Sequence, residues 1–301
     1  MLLTVIIFII VLLLYFHLMN QFKKSEDLEI YEMDYSTNTN LQTNCELRQP
    51  VLFDYQKINP ELFDTKYTSP ESKINVRVKD MKDAETGDSI ILPYSSALAL
   101  MKTDSKSRFF SENNTELADN KYPNVDTQLK PSMIVNSRRD LMFGSTGAST
   151  PMRYHTEYRN FICVRSGKIQ VKMTPWKSRK YLYPVSDYEH YEFRSPVDVW
   201  SNGAADECRF LEFDVEPGFV LYVPPYWFYS IKYAADDTEL YGFYYNSLIN
   251  CVANLPNWCL YYLQQQNTKY KVLKPRVRFE DDVYKNQENV DKENANDTTS
   301  L

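Results

Sequence analysis

The sequence predicts a mainly β fold, a barrel or sandwich with flanking helices, behind one N-terminal transmembrane helix. Three observations lead there. Short apolar or alternating segments recur at turn-bounded intervals through the middle of the chain. The composition, with 24 Tyr and 16 Phe against 7 Gly, suits strands with bulky side chains better than a Gly-rich, phosphate-cradling fold. The chain also opens on an almost unbroken apolar run. With 301 residues, 43% of them apolar, one main domain with appendages is expected.

Residues 1–20 form the expected anchor. Between Leu2 and Met19 only Thr4 and His17 interrupt the apolar run, which as a helix spans roughly 27 Å at 1.5 Å per residue, close to a bilayer core. A cleaved secretory signal would start basic and end at small residues, and this run does neither. Lys23 and Lys24 follow it, so the positive-inside rule puts the body on the cytoplasmic side. Residues 21–73 mix Asn, Thr, Asp, Glu and Pro without periodicity, as a partly ordered linker does.

The barrel domain with its C-terminal helix is expected over 74–267. Ile74 to Val78 alternates like a half-buried strand, Ser89 to Leu92 is a second candidate, and Ser95 to Lys102 suits a short helix. Phe161 to Val164, Ile169 to Met173, Phe210 to Phe213, Phe219 to Val223, Ile231 to Tyr233 and Tyr241 to Tyr245 continue the strands. Asn246 to Gln266 has helical spacing, interrupted at Pro256, and the polar residues 268–301 suit a disordered tail.

A net charge of -6 and a pI near 5.3 argue against nucleic acid as a partner, because neutralising phosphates needs a clustered positive surface. No GxGxxG or P-loop pattern occurs. Cys45, Cys163, Cys208, Cys251 and Cys259 form no CxxC pair, so free thiols are expected rather than a disulfide framework or zinc ribbon.

Four blocks then carry a family resemblance. They are Thr150-Pro151-Met152-Arg153-Tyr154-His155-Thr156-Glu157, Asn160-Phe161 with Ser166-Gly167-Lys168, Ser195-Pro196-Val197-Asp198, and Pro224-Pro225-Tyr226-Trp227-Phe228-Tyr229. Their order resembles the JmjC and cupin-like hydroxylases, which implies a double-stranded β-helix, or jelly-roll barrel. The family's chemistry uses iron(II), held by two histidines and a carboxylate, and 2-oxoglutarate. Anchored, aromatic-rich versions also resemble proteins of large DNA viruses.

The resemblance implies a metal set that this chain supplies only in altered form. If anchored on Thr150-Pro151, the family's histidine falls on Arg153 and its carboxylate on His155. If anchored on Asn160-Phe161, the pair falls on Tyr154 and Thr156. The closing histidine falls on Tyr229, and the lysine that would pair with 2-oxoglutarate falls on Ile169, with Lys168 one position away. His155, Glu157 and Tyr229 are therefore the candidate ligands of an altered iron site, and Thr150 and Lys168 the candidate cosubstrate residues. Tyr222 and Trp227 are the candidate pocket aromatics, though packing is the commoner role of such side chains. His190 is expected in an exposed loop. Two readings follow: a membrane-tethered, non-catalytic binding or structural module, with a protein partner and no cofactor, or an iron(II)/2-oxoglutarate-type hydroxylase with altered ligands.

Overall fold

The computed structural model describes residues 1–63, 74–81, 89–121, 125–201 and 207–269. Most of the tail expected over 268–301 lies outside them.

The apolar segments pair into two antiparallel-dominated sheets. The nine-stranded sheet runs, in spatial order, β1 (Tyr31–Glu32), β2 (Val51–Asp54), β13 (Phe219–Val223), β8 (Arg159–Ser166), β15 (Glu239–Ser247), β6 (Ile134–Gly144), β5 (Phe109–Ser111), β3 (Asn75–Asp80) and β4 (Ile90–Pro93). The six-stranded sheet runs β10 (Val185–Asp187), β11 (Glu192–Arg194), β7 (Arg153–Tyr154), β14 (Phe228–Tyr233), β9 (Ile169–Thr174) and β12 (Leu211–Val215). From β6 onward the chain passes back and forth between the sheets. The result is the jelly-roll order β13-β8-β15-β6 facing β7-β14-β9-β12.

Two cores follow. Between the sheets lie Ile162, Val164, Leu221 and Leu240 from one side and Ile169, Val171, Met173 and Ile231 from the other. The outer face of the large sheet is covered by α2 (Asn38–Cys45) and α3 (Tyr94–Thr103), so that Leu41, Cys45 and Ala97 pack with Phe53, Val78, Phe161, Phe243 and Tyr245. Burial on both faces explains why β8, β13 and β15 read as continuous apolar runs instead of alternating.

The expected strands and the helix near Ser95 are present. The helical stretch near the C-terminus divides into α7 (Leu248–Ala253) and α8 (Leu255–Lys269). Pro256 opens α8, where its missing N–H leaves no bond unmade. The Ser247 side chain caps α7 by accepting the Asn250 N–H at 3.2 Å.

The segment expected to be a linker is different. Residues 31–63 contribute β1, α2 and β2, which extend and cover one edge of the large sheet, so the fold begins well before residue 74. The signal was small: two buried positions on one turn of a polar helix, Leu41 and Cys45, and the four-residue alternation of Val51 to Asp54. The adjacent basic pair Arg138-Arg139 lies in β6.

α1 (Leu2–Gln21) is long and apolar enough to cross a membrane, and its side chains are exposed as far as His17. Its end is tied to the barrel: Arg48 Nη2 donates to the Asn20 carbonyl at 3.4 Å, and the Lys24 ammonium sits 3.7 Å from the Trp176 ring.

Gly167 turns the chain from β8 into β9 at φ +70°, and a Cβ there would lie 2.6 Å from the Thr238 Cα. Gly167→Ala is expected to lower stability by about 1–3 kcal/mol, read as a reduced urea midpoint with unchanged slope.

Candidate functional site

β7 is two residues long and lies between β11 and β14, so the Arg153 backbone stands directly opposite Tyr229. The chain after it is held on both sides. The His155 carbonyl accepts the Tyr226 N–H at 2.8 Å, and the Thr156 carbonyl accepts the Asn250 and Asn254 side-chain amides at 3.0 and 3.2 Å. Arg153, His155 and Tyr229 consequently meet at one end of the space between the sheets. Tyr154 points the other way, with its ring 5.0 Å from those of Phe193 and Trp176, and Thr156 is buried. The residues of both sequence registers border the cavity at this end, Arg153 and His155 in one and Tyr154 and Thr156 in the other.

The charge pattern is built around Arg153. Its guanidinium grips Glu112 through both carboxylate oxygens, at 2.8 and 2.6 Å. Lys79 bridges Glu112 at 3.0 Å and Glu192 at 2.5 Å. Burial alone would raise the Glu112 pKa, but Arg153 and Lys79 beside it hold the carboxyl far below the usual range.

His155 Nε2 is hydrogen-bonded to the Tyr229 hydroxyl, and its Nδ1 lies 3.6 Å from Glu157. Burial, the dominant effect, pushes the imidazole pKa down to about 4, so the ring is neutral at neutral pH. Glu157 faces Arg138 at 3.8 Å, and Arg138 in turn covers the Tyr244 ring at 4.2 Å. Asp140, on the same face of β6 as Arg138, accepts the Asn113 and Asn114 backbone N–H groups at 2.9 and 2.7 Å. Burial raises its pKa to about 6.

These groups border a cavity of about 450 Å³ that also reaches Trp258 of α8. A second cavity, of about 620 Å³, is lined by Thr150, Met152, Asp187, Arg194 and Trp200. His190, in the turn between β10 and β11, borders both and is held by Asp187 at 2.9 Å.

The sequence candidates divide accordingly. His155, Glu157 and Tyr229 come together. Thr150 lines the second cavity, where its hydroxyl accepts the Ile231 N–H at 3.0 Å. Lys168 is on the outside of the sheet, paired with Asp214 and Glu216 at 2.9 and 3.0 Å, because the strand alternation that buries Ile169, Val171 and Met173 turns it outward. Tyr222 and Trp227 border neither of these two cavities. Each is buried in a core and donates to a backbone carbonyl, Tyr222 to Cys45 at 3.3 Å and Trp227 to Arg48 at 3.1 Å, which satisfies its polar tip where its ring packs. Sequence reasoning missed Glu112, Lys79, Glu192 and Asp140. Only the Arg138/Asp140 spacing of two carried a signal, as neighbours on one strand face.

Iron(II) of the kind the fold family uses needs lone pairs from imidazole and carboxylate on one side. In the register anchored on Thr150-Pro151 the corresponding positions hold a guanidinium, an imidazole and a phenol. A guanidinium has no lone pair to give and carries a positive charge of its own, and both nitrogens of His155 already face protein partners. Among the described residues no three His, Cys, Asp or Glu side chains converge as a metal site. At the position where 2-oxoglutarate would need a lysine stands Ile169, fully buried between the sheets. The residues present do not fit the metal or its cosubstrate.

Two facing sheets in jelly-roll order, with a polar cluster at one end of the space between them, define a cupin-type barrel. The chain belongs to the cupin-like domain family, whose model matches residues 19–251 and so includes the segment that carries β1, α2 and β2. Comparison with curated proteins returns no match.

Proposed function

We propose that the protein is a membrane-tethered cupin-like module that binds a protein or ligand partner and carries out no dioxygenase chemistry. α1 is its anchor and the barrel its cytoplasmic body, with Lys23 and Lys24 on the same side. A virion membrane fits the same arrangement, and the resemblance to proteins of large DNA viruses supports that setting. The observation that carries the reading is Arg153. In the register anchored on Thr150-Pro151 it falls at the position of the family's first histidine, and its charge is paired with the buried Glu112. The apolar Ile169 at the cosubstrate position supports it independently.

The test is anaerobic iron(II) titration of the full chain in detergent, followed by assay for 2-oxoglutarate turnover. No one-to-one iron binding is expected, with His155→Ala indistinguishable from the parent and no succinate formed. A tight one-to-one site abolished by His155→Ala would overturn the proposal in favour of a hydroxylase using His155, Glu157 and Tyr229.

A further inference from the structure

The surface of α7 and α8 is out of keeping with the rest of the chain. A quarter of all residues are charged, yet none is between Leu240 and Thr268. Its first part, to Tyr245, is the buried strand β15, but the helical part is not hidden in the core. Leu248, Val252, Leu255 and Tyr262 are exposed, and Leu263 is 62% exposed. On its inner side α8 is fastened to the barrel: Asn257 accepts the Tyr188 hydroxyl at 3.3 Å, Tyr261 meets the Tyr191 ring at 5.7 Å, and Gln265 donates to the Glu189 carbonyl at 2.7 Å. Those contacts fix the helix rotation, and helical spacing then puts Leu255, Cys259, Tyr262 and Leu263 on the opposite side. In water an apolar face of this size, without one charge to solvate it, is a liability unless something covers it.

We infer that a lipid surface covers it: α7 and the outer face of α8 lie in the membrane interface as a second attachment beside α1. The inference rests on the reading that α1 crosses a membrane. Three observations select lipid. First, α7 packs against α1, so the exposed face begins where the spanning helix meets the domain. Second, Tyr262 stands on that outer face of α8 among leucines and suits the headgroup boundary, where an apolar ring and a polar tip are both satisfied. Third, the sequence continues with Lys269, Lys271, Lys274, Arg276 and Arg278 and no acidic residue among them, a composition that favours an anionic leaflet. The span and the interfacial pair together would hold the barrel in one orientation to the bilayer, not swinging on a tether.

Cys259 makes this testable, because it is exposed on that face while Cys45, Cys163 and Cys208 are buried. In a Cys251→Ser background, a thiol-reactive fluorophore on Cys259 is placed with the full chain in nanodiscs of ordinary or brominated lipid. Bromine quenches only a dye in contact with acyl chains, so most of the emission is expected to be lost in brominated discs. The double variant Leu255→Glu/Leu263→Glu, altered only at exposed positions, is expected to recover it while remaining in the disc. A chain that stays in the disc with an unquenched dye overturns the inference and leaves the tether standing. Cys259-to-Cys259 crosslinking without quenching also overturns it, by assigning the face to a second copy. A chain that neither enters discs nor floats with vesicles overturns the tether itself, and this inference with it.

Discussion

Glu112→Ala is expected to lower the stability of the folded barrel by about 3–5 kcal/mol, measured by urea unfolding at neutral pH. Removing one partner of a buried ion pair leaves the other without compensation. Here Arg153 and Lys79 would both lose their shared carboxylate, in a place where Glu112 is 3% and Arg153 8% exposed. Lys79 retains Glu192, so the larger part of the loss falls on Arg153. The double variant Glu112→Leu/Arg153→Met is expected to regain most of the deficit, because removing both charges together restores an apolar contact of similar volume. The deficit also depends on acid. Glu112 has a folded pKa below its unfolded one, so its contribution is complete above the ordinary carboxylate value of about 4.3 and is lost as pH falls below it. The gap between parent and Glu112→Ala should therefore narrow by up to about 1.4 kcal/mol for each pH unit below that point. A deficit under about 1 kcal/mol at neutral pH would mean that the pair is solvated and surface-like.

His155→Gln is expected to remove an acid sensitivity of about 3 kcal/mol. The folded imidazole titrates at about 4, whereas in the unfolded chain it titrates near the ordinary histidine value of about 6.5. Between those values the unfolded state binds the extra proton, so the parent loses stability as pH falls through the window and levels off below about 4. The variant lacks that slope. Asp140 acts in the opposite sense: its folded pKa of about 6 lies above the unfolded value, so stability falls as pH rises from about 4 to about 6. The two partly cancel in the parent, which is why the measurement is the parent-minus-variant difference across pH 4 to 7. Asp140 is common to both proteins and drops out. A difference that does not change with pH would show that His155 is solvated in the folded state.

Lys168 was a cosubstrate candidate because it lies one position from Ile169, yet the alternation of Ile169, Val171 and Met173 already held the signal that turns it outward, since strand side chains alternate along a regular ladder. Tyr229 and Ile169, at the positions the resemblance assigns to a histidine and a lysine, were legible as single positions within motif blocks. The edge built by residues 31–63 was not. Its strands are two and four residues long and α2 buries only Leu41 and Cys45, so nothing local separates it from a loop until the large sheet offers an edge to pair with.

The polar cluster was the least legible part. Lys79, Glu112, Arg153 and Glu192 come from elements spread over more than a hundred residues, and their charges look solvated until the barrel closes over them. Tyr229 and Arg153 become neighbours only because β14 pairs with β7, an adjacency that no local pattern encodes.

What the amino-acid sequence determined alone was a mainly β fold and an apolar N-terminal helix, and its motif blocks pointed to the jelly-roll class. These are local, set by periodicity, apolar length or short motifs. What the tertiary structure decided was the pairing of the Arg153 guanidinium with Glu112, and the exposure of the uncharged face of α7 and α8. Both depend on which surfaces are left over when distant strands have paired, and burial is a property of the assembled chain.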